Sequence, residues 1–220
     1  KAYFAPDVTG YVVRPHLADL TREQKPGAPV NDGPWLKAGP TAVVNGRWVP
    51  PPRAANDPPP DTKELFADGP FLAVCDGEVA FAAVTPALLA KLTPATVDDV
   101  LDDWLDVLPR QPVGGWVVRR PWDLVEANGR QIAADFPLFV DPETVGYRPH
   151  GVALTGPSER LYVDPSAHVD ALVSVDTSAG PVVVGPRAVI GAFTRLEGPC
   201  AIGPGTHLSR ATVRGGSTIG

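Results

Sequence analysis

Five polar residues could do chemistry, and each of them has a structural alternative. His168 and His207 lie in the last third of the chain, and histidine, which titrates near pH 6.5, can serve as a general base. Asn45 and Arg47 flank Gly46 and are candidates for binding a substrate phosphate, since a guanidinium so placed can bind a phosphate. Asn128 precedes a second glycine. Both Asn-Gly pairs are also typical of turns, and a histidine on an exposed face needs no catalytic role.

The two histidines lie in a six-residue repeat. Aliphatic residues recur in three series: Val163, Val169 and Val175; Val184, Ile190, Leu196, Ile202 and Leu208; Val213 and Ile219. A period of six fits neither an α-helix nor a plain strand, but it is typical of a parallel β-helix with three short strands in each coil of roughly 18 residues. The offset between the first two series predicts an irregular corner within residues 177–183. His168 and His207 each precede an inward aliphatic, so their side chains should point outward; no acidic partner is identifiable for either.

The first 155 residues have a different pattern. Residues 71–84 form two apolar runs about Asp76-Gly77, which predicts a β-hairpin. Residues 41–49 alternate and are β-branched, as in a strand. Helical spacing and capping residues predict helices over 85–92, 93–108 and 120–136. The proline-rich stretch 49–62 favours extended polyproline geometry. Strands that alternate with helices indicate an α/β fold.

Composition changes near residue 156. Residues 156–220 hold 10 of the 22 glycines and equal numbers of acidic and basic side chains, so the net charge of −6 falls on residues 1–155. Such a shift marks a domain boundary. We therefore predict an α/β domain over residues 1–155 and a β-helix over residues 156–220.

Charge and hydropathy exclude some classes of function. The acidic balance argues against a protein that binds nucleic acid through a basic surface. No apolar run reaches the ~18 residues of a membrane span. The two cysteines, Cys75 and Cys200, lie far apart and lack metal-ligand spacing, which favours a reducing cytoplasm. The chain has no methionine and ends on a fresh hexad, so we expect truncation at both ends.

An α/β domain followed by hexapeptide repeats resembles the sugar-1-phosphate nucleotidyltransferases that carry a left-handed β-helix. The bifunctional N-acetylglucosamine-1-phosphate uridylyltransferases/glucosamine-1-phosphate acetyltransferases are the best known of these. The segments that carry the resemblance are AVVNGRWV (42–49), FLAVCDGEVAFAAV (71–84), RRPWDLVEANGRQIAADF (119–136) and the hexads. The resemblance implies a partial Rossmann-type nucleotide-binding domain, a nucleoside triphosphate and a sugar phosphate as substrates, and Mg²⁺. It places the Gly-rich triphosphate loop upstream of Lys1.

Two positions match metal ligands of the resembling enzymes. Residues 45–47 resemble an Asn-Gly-Asp strand end whose aspartate binds the metal, but Arg47 stands at the aspartate position. A guanidinium cannot bind Mg²⁺, although it can bind a phosphate. Asn128 matches the asparagine that is the other metal ligand. The exchange of acid for base favours a homologue that has lost the classical metal site.

The β-helix adds a further expectation. In the resembling enzymes hexapeptide coils assemble as a homotrimer and use a histidine to transfer an acyl group from acyl-coenzyme A. Three hypotheses follow for the chain: a nucleotidyltransferase with or without an acyltransferase half, an acyltransferase alone, or a non-catalytic regulatory or scaffold homologue that binds nucleotide sugars.

Overall fold

The computed structural model describes Phe4 and residues 8–52, 65–140 and 145–220. The predicted polyproline stretch lies outside the described residues from residue 53 onward. The chain divides into two compact units, Lys1–Val118 and Arg119–Gly220. No helix in the described ranges combines the length and apolar character needed to cross a membrane.

The first unit is a small α/β layer. Its helices are α1 (Ala18–Gln24), α2 (Gly33–Leu36) and α3 (Val97–Val107); its strands are β1 (Thr41–Val44), β2 (Trp48–Val49), β3 (Phe71–Cys75), β4 (Glu78–Val84), β5 (Arg110–Pro112) and β6 (Trp116–Val117). The main sheet has the order β1-β4-β3-β5, and only the β3–β5 pair is parallel. Strand β2 pairs with β6 instead. The strand predicted over 41–49 is therefore two strands, separated by a turn.

The hairpin predicted about Asp76-Gly77 is confirmed. Asp76 and Gly77 have φ angles of 51° and 81°, the two left-handed residues of a type I′ turn, whose twist matches that of the flanking strands. Strand β4 is central and almost fully buried, because apolar clusters cover both faces of the sheet. Trp104 of α3 belongs to one cluster, and Trp48 of β2 belongs to the other.

One predicted helix is shorter than expected. Residues 85–92 form only a 3₁₀ turn, Leu88–Lys91, after the Thr85 carbonyl accepts the N–H groups of Leu88 and Leu89. Leu92 is already extended, and the following Thr93 precedes a proline, which disfavours helical geometry. The longer helix predicted over 93–108 is confirmed as α3, with Val100 and Trp104 buried.

The second unit consists of a long helix and a parallel β-helix. Helix α4 spans Pro121–Phe139. The strands are β7 (Ala153–Thr155), β8 (Leu161–Val163), β9 (His168–Val169), β10 (Ser174–Asp176), β11 (Val182–Val184), β12 (Val189–Ile190), β13 (Arg195–Glu197), β14 (Cys200–Ile202), β15 (His207–Leu208), β16 (Thr212–Val213) and β17 (Ser217–Ile219). They form three parallel sheets with the orders β7-β10-β13-β16, β8-β11-β14-β17 and β9-β12-β15.

The predicted inward positions of the hexads are confirmed. Every aliphatic residue of the three series belongs to one core cluster, either buried or packed against it. The composition change near residue 156 differs from the structural division, which falls after Val118. The reason is that β7 already pairs with β10 as part of the first coil, and α4 contacts β14 and β17.

One corner of the β-helix changes length along the axis. The register aligns Thr155 with Asp176 and Leu161 with Val182, so the first two coils have equal corners, residues 156–160 and 177–181. In the next two coils the same corner is only Gly198-Pro199 and Gly215-Gly216. We call these the long corners and the short corners. The irregularity predicted within 177–183 is the second long corner.

Candidate functional site

Asn45 builds the turn that ends β1. Its Oδ1 accepts the Arg47 N–H at 3.0 Å, and its Nδ2 donates to the Val79 carbonyl at 2.9 Å. The Asn45 carbonyl also accepts the Trp48 N–H at 2.9 Å. Both polar atoms of the side chain are thus engaged by the protein, which supports the turn interpretation of Asn45-Gly46.

Arg47 is presented by this turn with its guanidinium largely in solvent. Its Nη2 lies 2.8 Å from Oε2 of Glu78, and the side chain is 54% exposed. The Arg47 carbonyl accepts the Val118 N–H at 2.8 Å, so the backbone is fixed on both sides. Glu78 is a partner that the sequence pattern did not reveal; it stands first in β4, immediately after the hairpin turn. The substrate-binding role of Asn45 and Arg47 stays a prediction.

Asn128 joins α4 to the last described coil of the β-helix. Its Nδ2 donates to the Gly216 carbonyl at 2.7 Å, and its Oδ1 accepts the Thr218 hydroxyl at 3.1 Å. The amide oxygen that would bind a metal is therefore occupied by a hydroxyl. In this arrangement Asn128 has a clear structural role, because it fixes the helix against a short corner.

Helix α4 runs without interruption through Asn128-Gly129, so the interpretation of this pair as a turn or helix break is wrong. Glycine costs helix stability, but here it permits close packing. A Cβ at Gly129 would lie 3.2 Å from Gly216 Cα and 3.3 Å from Pro199 Cγ. At the start of the helix, Asp123 Oδ2 accepts the N–H groups of Arg119 and Arg120 at 2.8 Å each. Asp123 is thus a capping residue.

His168 has an acidic partner that sequence reasoning missed. Its Nε2 lies 3.0 Å from Oδ1 of Asp170, and the His168 side chain is 72% exposed. The other carboxylate oxygen of Asp170 accepts the Ala192 N–H at 3.2 Å, which fixes the carboxylate to the next coil. A carboxylate that orients an imidazole is the usual support of a histidine base. The signal was an aspartate two residues after the histidine, on the same outer side of the coil.

His207 lies on the same outer column as His168 but does not meet it. Both residues pair with Val189 in the β9-β12-β15 sheet, on opposite sides of it. Two strand spacings separate their backbones by roughly 10 Å. His207 is exposed, so both histidines point outward as predicted. His168 thus has the carboxylate neighbour that a histidine base needs, and a catalytic role for either histidine stays a prediction.

The cysteines are core residues. Cys75 and Cys200 carry buried thiols that are not joined in a disulfide, with 3% and 0% exposure. Burial raises the pKa of the Cys200 thiol to about 12, and the nearby Glu197 charge adds to the effect. Thiolate is the reactive form of cysteine, so Cys200 is unsuited to nucleophilic catalysis.

Comparison with known proteins places the chain in a family. The family model of the sugar nucleotidyl transferases matches residues 1–143. The match covers more than half of the 220 residues, and the chain belongs to the sugar nucleotidyl transferase family. No curated protein and no solved structure matches the chain. The resemblance found in the sequence is thus confirmed at the level of the sugar nucleotidyl transferases.

Proposed function

We propose that the protein transfers a nucleotidyl group from a nucleoside triphosphate to a sugar 1-phosphate. The observation that carries this proposal is the family match over residues 1–143. In such a reaction a phosphate oxygen of the sugar phosphate attacks the α-phosphorus of the triphosphate. The bond from the α-phosphorus to the bridging oxygen breaks, and pyrophosphate leaves. Binding groups contribute by holding both phosphates in line and by offsetting their charge.

Arg47 is the residue we assign to phosphate binding. Its backbone is fixed by Asn45 and Val118, while its guanidinium is exposed and paired at one edge with Glu78. A guanidinium presents five N–H donors in a rigid fork. It can therefore accept a phosphate at its other edge, or exchange the carboxylate for one.

The Mg²⁺ that the family resemblance implies does not fit the described residues. Asn45 and Asn128 use both polar atoms within the protein. Within the described ranges, no group of three or more histidine, cysteine, aspartate or glutamate side chains could hold a metal ion. Arg47 brings positive charge where the resembling enzymes place a metal-binding carboxylate. The proposed reaction therefore assigns these residues no step through a metal.

Replacing Arg47 with glutamine tests this proposal. A charge-assisted hydrogen bond contributes about 1.5–3 kcal/mol, so kcat/KM for pyrophosphate release should fall roughly 10- to 100-fold. Arg22→Gln is the matched control, because Arg22 is also exposed and ion-paired, with Asp19 at 2.7 Å. The assay supplies nucleoside triphosphates, a panel of sugar 1-phosphates and Mg²⁺ to the intact protein.

Absence of pyrophosphate release across the panel would overturn catalysis by this chain. If nucleotide sugars then still raise the Tm, the non-catalytic homologue becomes the better description. Equal losses in R47Q and R22Q would show that Arg47 does not bind the substrate.

The His168–Asp170 pair favours acyl transfer as a second candidate function. The imidazole would remove a proton from an acceptor amine or hydroxyl, which then attacks the thioester carbonyl of acyl-coenzyme A and releases the thiol. His168→Ala should lower the rate of thiol release by about 100-fold or more, and Asp170→Asn should lower it less. His207→Ala is the matched control, since His207 occupies the same column without that carboxylate.

Thiol release that is unchanged in H168A, or lost equally in H207A, would contradict the second candidate.

The same proposal includes a homotrimer, as in the resembling enzymes. Sedimentation of the intact protein as a monomer would contradict the trimer.

A further inference from the structure

A pocket lies where α4 passes the change in corner length. Near its middle, α4 meets the short corners closely, since Gly129 packs against Gly216 and Pro199. One to two helical turns further along, Ala133 and Phe136 lie opposite the long corners instead. An open pocket with a volume of about 290 Å³ lies between these two α4 residues and the long corners. Both long corners therefore contribute to the pocket wall, the first through Arg160 and the second through residues 179–181.

The pocket wall has an apolar part and a cationic part. The lining residues are Ala133, Phe136, Arg160, Ala179, Gly180 and Pro181. The first two and Pro181 supply methyl, aromatic and pyrrolidine surfaces. Arg160 supplies the charge, and its Nη1 makes one long hydrogen bond, 3.3 Å, to the Ser178 carbonyl. Within the described residues, the wall contains no carboxylate to compete for this guanidinium.

The loop that carries the polar part of the wall is well fixed. Thr177 is fully buried, and its hydroxyl donates to the Pro157 carbonyl at 2.7 Å, which ties the two long corners together. Asp176 accepts the Ser178 N–H at 3.0 Å, and this hydrogen bond lowers the pKa of the Asp176 carboxyl. The next two residues, Ala179 and Gly180, belong to the wall. A fixed loop of this kind is preorganised for a ligand.

We infer that this pocket binds a small organic anion, a carboxylate or phosphate monoester carried on a compact apolar or aromatic group. The guanidinium matches the two oxygens of such a head group, and the Phe136 ring and Pro181 match its body. The volume of about 290 Å³ lies just below the usual range for small-molecule pockets, about 300–1,000 Å³. It suits a compact ligand rather than a nucleotide sugar, so the site is separate from that of the proposed reaction.

Phenyl phosphate and benzoate are the probes that test the inference. Titration into the isotope-labelled chain, followed by amide NMR shifts, should perturb Ala179 and Gly180 first. Benzyl alcohol, which has the same ring without the charge, should bind at least about tenfold more weakly. Arg160→Gln should weaken binding of both anions by about tenfold or more, because it removes the cation of the wall. Arg148→Gln, an exposed arginine of the same unit outside the pocket, should leave binding unchanged.

A second variant separates loss of charge from loss of space. Ala133→Trp should fill the pocket and abolish binding while the Tm stays near that of the parent, because Ala133 is exposed on α4. Whichever of the two anions binds more tightly identifies the head group as phosphate or carboxylate. The inference is overturned if neither probe shifts Ala179 or Gly180 at roughly 10 mM, a concentration that would detect even millimolar affinity. It is equally overturned if binding survives both Arg160→Gln and Ala133→Trp.

Discussion

Replacing Gly198 with alanine should destabilise the β-helix unit by about 3 kcal/mol or more. A Cβ at this position would overlap the Gly180 carbonyl oxygen, and it would lie 2.7 Å from the Gly180 carbonyl carbon. These are backbone atoms of the neighbouring coil, where Cys200 N–H donates to the Pro181 carbonyl at 2.9 Å. Relief of the overlap therefore requires a shift of one coil against the next, which weakens the ladder between β11 and β14.

Gly205→Ala provides the matched control for Gly198→Ala. Gly205 has a φ of 68°, but a Cβ there would meet nothing within 4 Å. Its cost is only that of a left-handed alanine, about 1–2 kcal/mol. Urea unfolding of the intact chain, followed by circular dichroism, measures both. Equal losses of unfolding free energy in the two variants would show that the overlap with Gly180 does not add to the cost of Gly198→Ala.

The repeat made the β-helix predictable because its physical cause is local. Each inward aliphatic is followed by small or turn residues, so the six-residue spacing alone places Ile190, Leu196 and Ile202 in the core. The Asp76-Gly77 hairpin was predictable for the same reason, since both residues accept a positive φ. The offset between the aliphatic series also predicted an irregular corner around Gly180. What the spacing could not show was that α4 packs there and leaves a pocket.

The candidate site was less predictable, because its contacts join distant parts of the chain. Asn128 is 88 residues from its partner Gly216, and no pattern near either residue indicates the hydrogen bond between them. The Arg47–Glu78 pair depends likewise on the pairing of β1 with β4. The His168–Asp170 pair is different. Its signal was local, and it could have been found by asking which carboxylate shares the outer side of the strand.

Replacing Asn128 with aspartate should destabilise the second unit by about 2–3 kcal/mol. The carboxylate cannot donate to the Gly216 carbonyl, now 2.7 Å from the amide nitrogen, and it sets a negative charge against that oxygen. Asn128→Ala, which loses both hydrogen bonds without adding charge, should cost about 1–2 kcal/mol. Val125→Asp is the control for charge, since Val125 is 75% exposed on the same helix. It should change stability by no more than about 0.5 kcal/mol.

The same variant distinguishes a structural from a metal-binding Asn128. A metal ligand would tolerate aspartate, because Mg²⁺ prefers carboxylate oxygens, and Mg²⁺ would then raise the stability of Asn128→Asp more than that of the parent. A structural amide predicts no such gain. It also predicts that the loss of stability in Asn128→Asp, relative to the parent, becomes smaller as the pH falls towards about 4. The reason is that protonation of the introduced carboxyl restores a donor for the Gly216 carbonyl. Urea unfolding at two pH values, with and without Mg²⁺, separates the outcomes. A deficit that is independent of pH and removed by Mg²⁺ would contradict the structural assignment, because only metal coordination compensates the added charge without a donated hydrogen bond.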